Sequence, residues 1–390
     1  MAGRAMKLAA VHPFPARMAP EVVDEAVAAL PSGATVLDPM CGSGTVIRLA
    51  AERGLPSIGT DLDPLAVVIS ECWASPPATH ELLHDAEMVV RRARAVRDEG
   101  IDSPPWHDDR TREFAQYWFA EPQRLDLTAF AIALRQSPKS THPALQTALS
   151  RTIIKKEHGA SLARDVSRSR PHRVTTTNDY SVFDGFNRSV RFIAQRLSAR
   201  VLRHPAQVFN SDARCLANVP DESIDCVITS PPYLNAIDYM RGHRLSLIWF
   251  GFSMDETSTV RSRTVGAERA GNGHLDIARY VNEQEGNKLD NRQRGWVQRY
   301  LLDANEIVAS LSRVTRSSNA KVVMVIGNST IRGVRVDNAG IYAEALRGSG
   351  FQVNTRGRLI PTANRSLPLG PPGSPLAARM REEVILEATR

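Results

Sequence analysis

The sequence predicts an α/β fold: a mostly parallel sheet covered by helices and split by a mainly helical, basic insertion. Three observations predict it. Residues 34–74 alternate strand, glycine turn, helix, strand, helix. Residues 75–205 contain no convincing strand, yet carry helical periodicity. Strand patterning then resumes at residue 206 and recurs to the end of the chain.

Residues 34–38, ATVLD, read as a short buried strand, and a helix follows over 45–53. Residues 56–61, PSIGTD, read as a second strand, and Pro64 suits the first turn of the next helix. Such alternation implies parallel strands joined by helical crossovers. Within 75–205, Leu82, Ala86, Val89, Ala93 and Val96 mark one helix face. Phe114, Tyr117 and Trp118, then Leu127, Phe130 and Leu134, suggest two more helices, 165–180 a loop, and 186–202 another helix. Strands are expected at 206–211 and 224–229, a helix at 237–250, and a long polar loop or lid at 254–295. A helix over 296–314, a strand at 321–328, a helix near 338–349 and strands near 351–360 and 383–388 complete the order. Residues 361–376, with five prolines, read as a loop. The organisation expected is one domain from 1–74 and 206–390, interrupted by 75–205.

A chain of 390 residues with 42 % hydrophobic and 23 % charged content is ordinary for a globular protein and excludes a mostly disordered one. No apolar run is long enough to span a membrane, and residues 1–10 lack the apolar core of a secretory leader. Four scattered cysteines form no disulfide framework, so a cytoplasmic protein with reduced thiols is expected. The net charge of +7 is uneven: residues 135–205 hold 14 basic against 4 acidic residues, and the rest of the chain sums to −3. A local basic block points to a polyanionic partner.

Residues 38–45 read DPMCGSGT between a strand and a helix. Gly42 and Gly44 allow a tight turn and close approach to a ligand, and the helix start offers unpaired N–H groups. The turn fails the nicotinamide fingerprint, because Ile47 stands where a third glycine belongs. Asp61, at the end of the second strand, can accept both hydroxyls of a ribose. Asp212, in NSDA, can accept from an adenine amino group, and Asp38 can face a ligand's positive charge. Each aspartate alone also reads as a helix cap or turn residue.

Residues 230–233 read SPPY directly after a strand. Two prolines make a rigid turn lacking two backbone donors. The carbonyl of Pro231 and the hydroxyl of Ser230 then act as acceptors, Pro232 stiffens the turn, and Tyr233 offers a face for stacking. Together they suit an exocyclic amine on a planar heterocycle, whose nitrogen lone pair two such hydrogen bonds would free for attack.

DPMCGSGT, GTDLDP, NSDA and TSPPY together resemble the motifs of S-adenosylmethionine-dependent methyltransferases acting on amino groups of DNA bases. HPFPARMAP, at 12–20, resembles the segment that closes over the methionine end there. The resemblance covers 12–74 and 206–330. It implies a Rossmann-like class I fold, a seven-stranded sheet whose last strand is antiparallel. It implies S-adenosyl-L-methionine held by Phe14, Asp38, Pro39, Cys41, Gly42, Gly44 and Thr45, with Asp61 on the ribose and Asp212 on the adenine edge. Ser230, Pro231, Pro232 and Tyr233 would hold a base flipped from duplex DNA. No metal is expected. A serine at the first position of the tetrapeptide leans toward cytosine N4 in that family, an aspartate toward adenine N6. The sequence departs from the usual arrangement in placing 131 residues between the ribose and adenine motifs.

In this frame Lys155, Lys156, Arg164, Arg168, Arg170 and Arg173 are expected at DNA phosphates. A companion restriction endonuclease would suit such an enzyme. Other readings stay open: an adenine N6 enzyme, an RNA base-amine methyltransferase, a small-molecule N-methyltransferase, and a non-catalytic nucleic-acid-binding module. His80 and His84 fit a zinc-protease HExxH pattern, but spacing offers no third ligand.

Overall fold

The computed structural model describes residues 10–199, 201–235, 237–268, 275–284, 288–360 and 382–390. Helix α1 (Pro20–Ala28) precedes β1 (Val36–Asp38), α2 (Thr45–Glu52), β2 (Ser57–Asp61) and α3 (Pro64–Ala74). The insertion holds α4 (Thr79–Asp98), α5 (Asp109–Trp118), α6 (Glu121–Leu134) and α7 (His142–Ile153). A small hairpin of β3 (Ala163–Arg164) and β4 (His172–Arg173) follows, then α8 (Val182–Ser198). After it come β5 (Ala206–Asn210), β6 (Cys226–Thr229), α9 (Met240–Leu247), α10 (Met254–Arg263), β7 (Val281–Asn282) and α11 (Asn291–Val314). The chain ends with β8 (Lys321–Ile326), β9 (Ser329–Ile331), β10 (Val334–Val336), α12 (Asn338–Gly348), β11 (Gln352–Leu359) and β12 (Glu382–Thr389).

Seven strands form one sheet in the order β11-β12-β8-β6-β1-β2-β5. β12 runs antiparallel to both neighbours and every other pairing is parallel, the Rossmann-like arrangement expected. The insertion lies inside the crossover from β2 to β5. It leaves their register intact, with Ser57 opposite Ala206 and Asp61 opposite Asn210. A long excursion in a crossover is tolerated because closure entropy grows only with the logarithm of length.

The two faces of the sheet are read directly in β8. Val323 and Val325 join one apolar core with α2, α3 and the insertion helices. Val322, Met324 and Ile326 join the other, with α11 and α12. Side chains alternate across a strand, so one hydrophobic run feeds both layers. The insertion therefore does not carry a separate core: α7 packs on α3 and α8, and Phe119, Phe130 and Phe186 share a cluster with Leu65 and Ile69 of α3.

Three expectations need correction. The segment 254–295 is not one long loop. Met254–Arg263 is helical because Ser253 and Glu256 form a reciprocal capping box. A second box, Asp290 with Gln293, starts α11 at Asn291 rather than 296. The segment 165–180 is not wholly loop either, since His172 and Arg173 pair with Arg164 and Ala163. Residues 329–336 fold back as a hairpin through Arg332 and Gly333, both at positive φ. The predicted loop 361–376, and parts of 254–295, lie outside the described residues. Among the described residues no helix is long and apolar enough to cross a membrane.

Candidate functional site: two adjoining turns

β1 has β2 on one side and β6 on the other, so the chain order reverses there. Ligands of open α/β sheets bind at the carboxyl ends of strands beside such a reversal. The glycine turn leaves β1 and the SPPY turn leaves β6, which places both motifs at this point.

In the glycine turn Gly42 and Gly44 both adopt positive φ, at 50° and 76°. A Cβ on Gly44 would stand 3.1 Å from the Cα of Ser70, and one on Gly42 would stand 3.2 Å from the Phe14 ring. Gly42 N–H donates to Asp61 at 2.8 Å, and Asp63 N–H donates to its other oxygen at 2.9 Å. Each Asp61 oxygen retains lone pairs for a diol. Gly44 caps α2 with no side-chain partner, leaving the first N–H groups of the helix unpaired within it. The supporting residues turn inward. Cys41 Sγ lies 3.4 Å from the Ser70 hydroxyl, the Pro39 carbonyl accepts from Thr60, and Thr45 is buried beside Ser43.

Asp38 is buried and accepts from the Thr229 hydroxyl at 2.8 Å and from Met40 N–H at 3.2 Å. Burial pushes its carboxyl up to about 7 against the pull of those hydrogen bonds, and the Asp61 charge adds to the rise. Burial likewise pushes Asp61 up to about 7, reinforced by Asp63 and opposed by the two backbone donors. No described basic side chain ion-pairs with either carboxylate. This donor set fits a ligand carrying hydroxyls and a positive charge.

Asp212 behaves differently. Arg214 grips it with a two-pronged fork at 2.9 and 2.7 Å, and Arg263 adds a contact at 3.2 Å. Burial alone would raise its carboxyl, but these arginines hold it below the ordinary carboxylate range. Arg214 also binds the buried Asp303 at 2.8 Å.

In the second turn the Ser230 hydroxyl donates to the Val325 carbonyl at 2.9 Å, so its oxygen is left as an acceptor. No described group donates to the Pro231 carbonyl, whereas the Pro232 carbonyl accepts from Tyr300 at 3.1 Å. The half-buried Tyr233 donates to Glu383 at 3.4 Å, and Glu383 accepts from Arg358 at 3.1 Å. Burial, then the Glu383 charge, pushes the Tyr233 phenol up. Gly266 packs on the backbone of Tyr233, where a Cβ would lie 2.7 Å from the carbonyl oxygen. The segment after α10 thus braces the turn.

Phe14 links the turns. Its ring lies over Gly42, stacks on Tyr239 at 5.3 Å and 26°, and meets His243 at 5.2 Å. His243 is buried and donates through Nδ1 to Asp63, the N-cap of α3. Residue types gave no sign of this pair, which is 180 positions apart in sequence.

The six predicted phosphate contacts come together around the β3–β4 hairpin. Lys156 and Lys155 carbonyls accept from Asp165 and Ser167 N–H groups. Lys156, Arg168, Arg170 and Arg173 are exposed and Arg164 is half-buried. Lys155 is less free, with its ammonium 5.0 Å from the Tyr180 ring centroid. Arg173 lies over the Tyr117 ring at 4.8 Å. Ser169 bolts the hairpin to the segment after SPPY by donating to the Asp238 and Tyr239 carbonyls. His80 and His84 sit exposed on α4, and among the described residues no cluster of three or more His, Cys, Asp or Glu could hold a metal ion.

The fold is a Rossmann-like frame with the glycine turn and the acceptor-bearing SPPY turn on adjacent strands. Among known proteins, no family model matches the chain. Over 369 residues it is 21 % identical to the Type II methyltransferase M.MvaI of Kocuria varians, covering 86 % of this chain and 80 % of that protein. Among solved structures it is similar to a SAM-dependent methyltransferase of Methanosarcina mazei, at 9 % identity and TM-score 0.36, covering 96 % of this chain and 99 % of that one. It is also similar to the rRNA methyltransferase aviRa of Streptomyces viridochromogenes, at 13 % identity and TM-score 0.28, covering 88 % and 92 %.

Proposed function

We propose that this protein is an S-adenosylmethionine-dependent DNA methyltransferase that modifies the exocyclic amine of a flipped base, cytosine N4. One observation carries the reading. The glycine turn and the SPPY turn stand on adjacent strands and are joined through the Thr229–Asp38 hydrogen bond. A nucleoside pocket and an amine-accepting pocket therefore share a wall. The similarity to a Type II methyltransferase supports the same class and a DNA substrate.

When bound, S-adenosylmethionine supplies an activated methyl group on a sulfonium. Gly42, Gly44 and the start of α2 would hold its methionine part, Asp61 its ribose, and Asp38 would balance its charge. Phe14 closes the glycine turn from above. Asp212 would meet the adenine edge through whatever acceptor capacity the Arg214 fork leaves. A target base must leave the duplex stack to reach the second turn. There Tyr233 stacks on it, while the Pro231 carbonyl and the Ser230 oxygen accept the two protons of its amine. Fixing those protons holds the nitrogen lone pair in place for direct transfer: the N–C bond would form as the sulfonium S–C bond breaks, a neutral thioether would leave, and the methylated nitrogen would release one of its protons to solvent, with positioning supplying much of the rate.

The test is incubation of the protein with DNA and labelled cofactor, followed by digestion to nucleosides. Label is expected in N4-methyldeoxycytidine. Label in N6-methyldeoxyadenosine would overturn the base, label confined to RNA would overturn the substrate, and no transfer would overturn the enzyme.

A further inference from the structure

Beside the SPPY turn the structure gathers arginines from three separate segments. Asp238 accepts from Arg261 of α10 at 2.6 and 2.7 Å and from Arg241 of α9 at 3.2 Å. Arg110 of α5 pairs with Asp255, also on α10. Arg244 of α9 lies over the Phe114 ring at 5.0 Å with its Nε buried and unpartnered. Burial, then the charges of Arg261, Arg241 and Arg110 against Asp238, lowers the Arg244 guanidinium from its ordinary value.

The insertion adds to the same edge. Ser169, flanked by Arg168 and Arg170, bonds the carbonyls of Asp238 and Tyr239, the latter at 3.0 Å. Gly242 permits this docking, since a Cβ there would meet the Val166 carbonyl at 2.8 Å. The nearest carboxylate to Arg168 is Asp165 at 3.9 Å, and Arg170 has no side-chain partner among the described residues.

We infer that Arg241, Arg244 and Arg261 form, with Arg110, Arg168 and Arg170 of the insertion, one phosphodiester-binding surface that grips the DNA backbone beside the target nucleotide. The inference rests on the DNA reading above and assigns its backbone contacts to residues of both the sheet domain and the insertion. Six guanidiniums face four carboxylates, Asp108, Asp165, Asp238 and Asp255. Like charges crowded in this way repel, and a polyanion supplies the missing counter-charge. Guanidinium forks match phosphate oxygens bidentately, which a lysine cannot do. Asp238 holds two of the forks and competes with phosphate for them. The location favours a nucleic acid over an acidic protein, because a base held at Pro231 brings its own flanking phosphates to the Asp238 edge.

The test is a salt titration of binding between full-length protein and a labelled duplex. The variants are R241Q/R261Q and, as a control arginine outside the cluster, R53Q, whose arginine sits at the far end of α2 against Asp24. For R241Q/R261Q the slope of log affinity on log salt should be shallower by about 2, with binding at low salt down about ten-fold. Cofactor affinity should stay within about two-fold of wild type, and R53Q should match wild type throughout. An unchanged slope in R241Q/R261Q overturns the inference. D238N gives an independent check by releasing both forks: tighter duplex binding is expected, and lower thermal stability with no gain in binding marks the cluster as structural and overturns it. Wild type that prefers an RNA stem to the duplex overturns the partner. Salt-dependent duplex binding without methyl transfer would refute the proposed activity while leaving the surface in place.

Discussion

The two turns at the centre of the sheet are built from opposite residues. The first relies on glycine: Gly42 and Gly44 take positive φ, their own N–H groups bond Asp61 and the Cys41 carbonyl, and the turn leads into the unpaired N–H groups at the start of α2. The second relies on proline: Pro231 and Pro232 remove N–H groups and leave carbonyls. One turn is a donor surface with two raised carboxylates, the other an acceptor surface with a tyrosine face. On the proposed function, each would serve one half of a group transfer, a charged nucleoside and a neutral amine. The difference teaches that the chemistry of each pocket is set by what the backbone can donate. Side chains mainly join the pockets, as Thr229 does with Asp38.

Breaking the glycine turn should have the largest effect. Gly44→Val forces a β-branched residue into the left-handed region against the Ser70 backbone. Backbone strain of that kind costs about 1–3 kcal/mol before the clash is counted. Thermal denaturation should show a lower melting temperature, and calorimetry should detect no cofactor binding. The tyrosine face comes next. Tyr233→Ala removes a stacking surface of about 1–3 kcal/mol per base. Steady-state kinetics should show kcat/KM for DNA down about ten- to a hundred-fold with cofactor affinity unchanged. Loss of cofactor binding here would merge the two pockets and refute the comparison.

The link between the turns gives the smallest, pH-dependent effect. Asp38 and Asp61 have folded values near 7, above the unfolded carboxylate range. Protonation of these groups therefore favours the folded state, fully so below about 4, and the benefit disappears as pH rises through about 7. Melting temperature of the free protein should fall over that window. A cationic ligand favours the ionised carboxylates, so cofactor affinity should rise over the same window. Thr229→Val removes a hydrogen bond that lowers the Asp38 value, and should move the rise in affinity to higher pH. Titration calorimetry between about pH 6 and pH 8 reads this displacement, and an unshifted profile would disprove the role given to Thr229.

Much of this was legible in residues close in sequence. The β-α-β-α opening, the glycine pair and the SPPY turn were read at their true positions because local backbone preference sets them. The Ser253–Glu256 capping box was equally local, but polar composition suggested a loop instead, and the helix Met254–Arg263 was missed. His243 with Asp63, Tyr233 with Glu383, and Arg261 with Asp238 left no such mark. Asp212 had the residue type for an adenine contact, yet its engagement by Arg214 and Arg263 is visible only in space.

By itself the sequence determined a parallel sheet, two turns of opposite hydrogen-bonding character and a basic block within a helical insertion. Spacing, periodicity and the stereochemistry of glycine and proline act over a few residues and need no partner. Tertiary structure alone decided that the turns share a wall and that the insertion joins the sheet's own core. It also decided that the basic hairpin meets the arginines beside the SPPY turn. These depend on strand order and on contacts between residues from 69 to 191 positions apart, which no local pattern encodes.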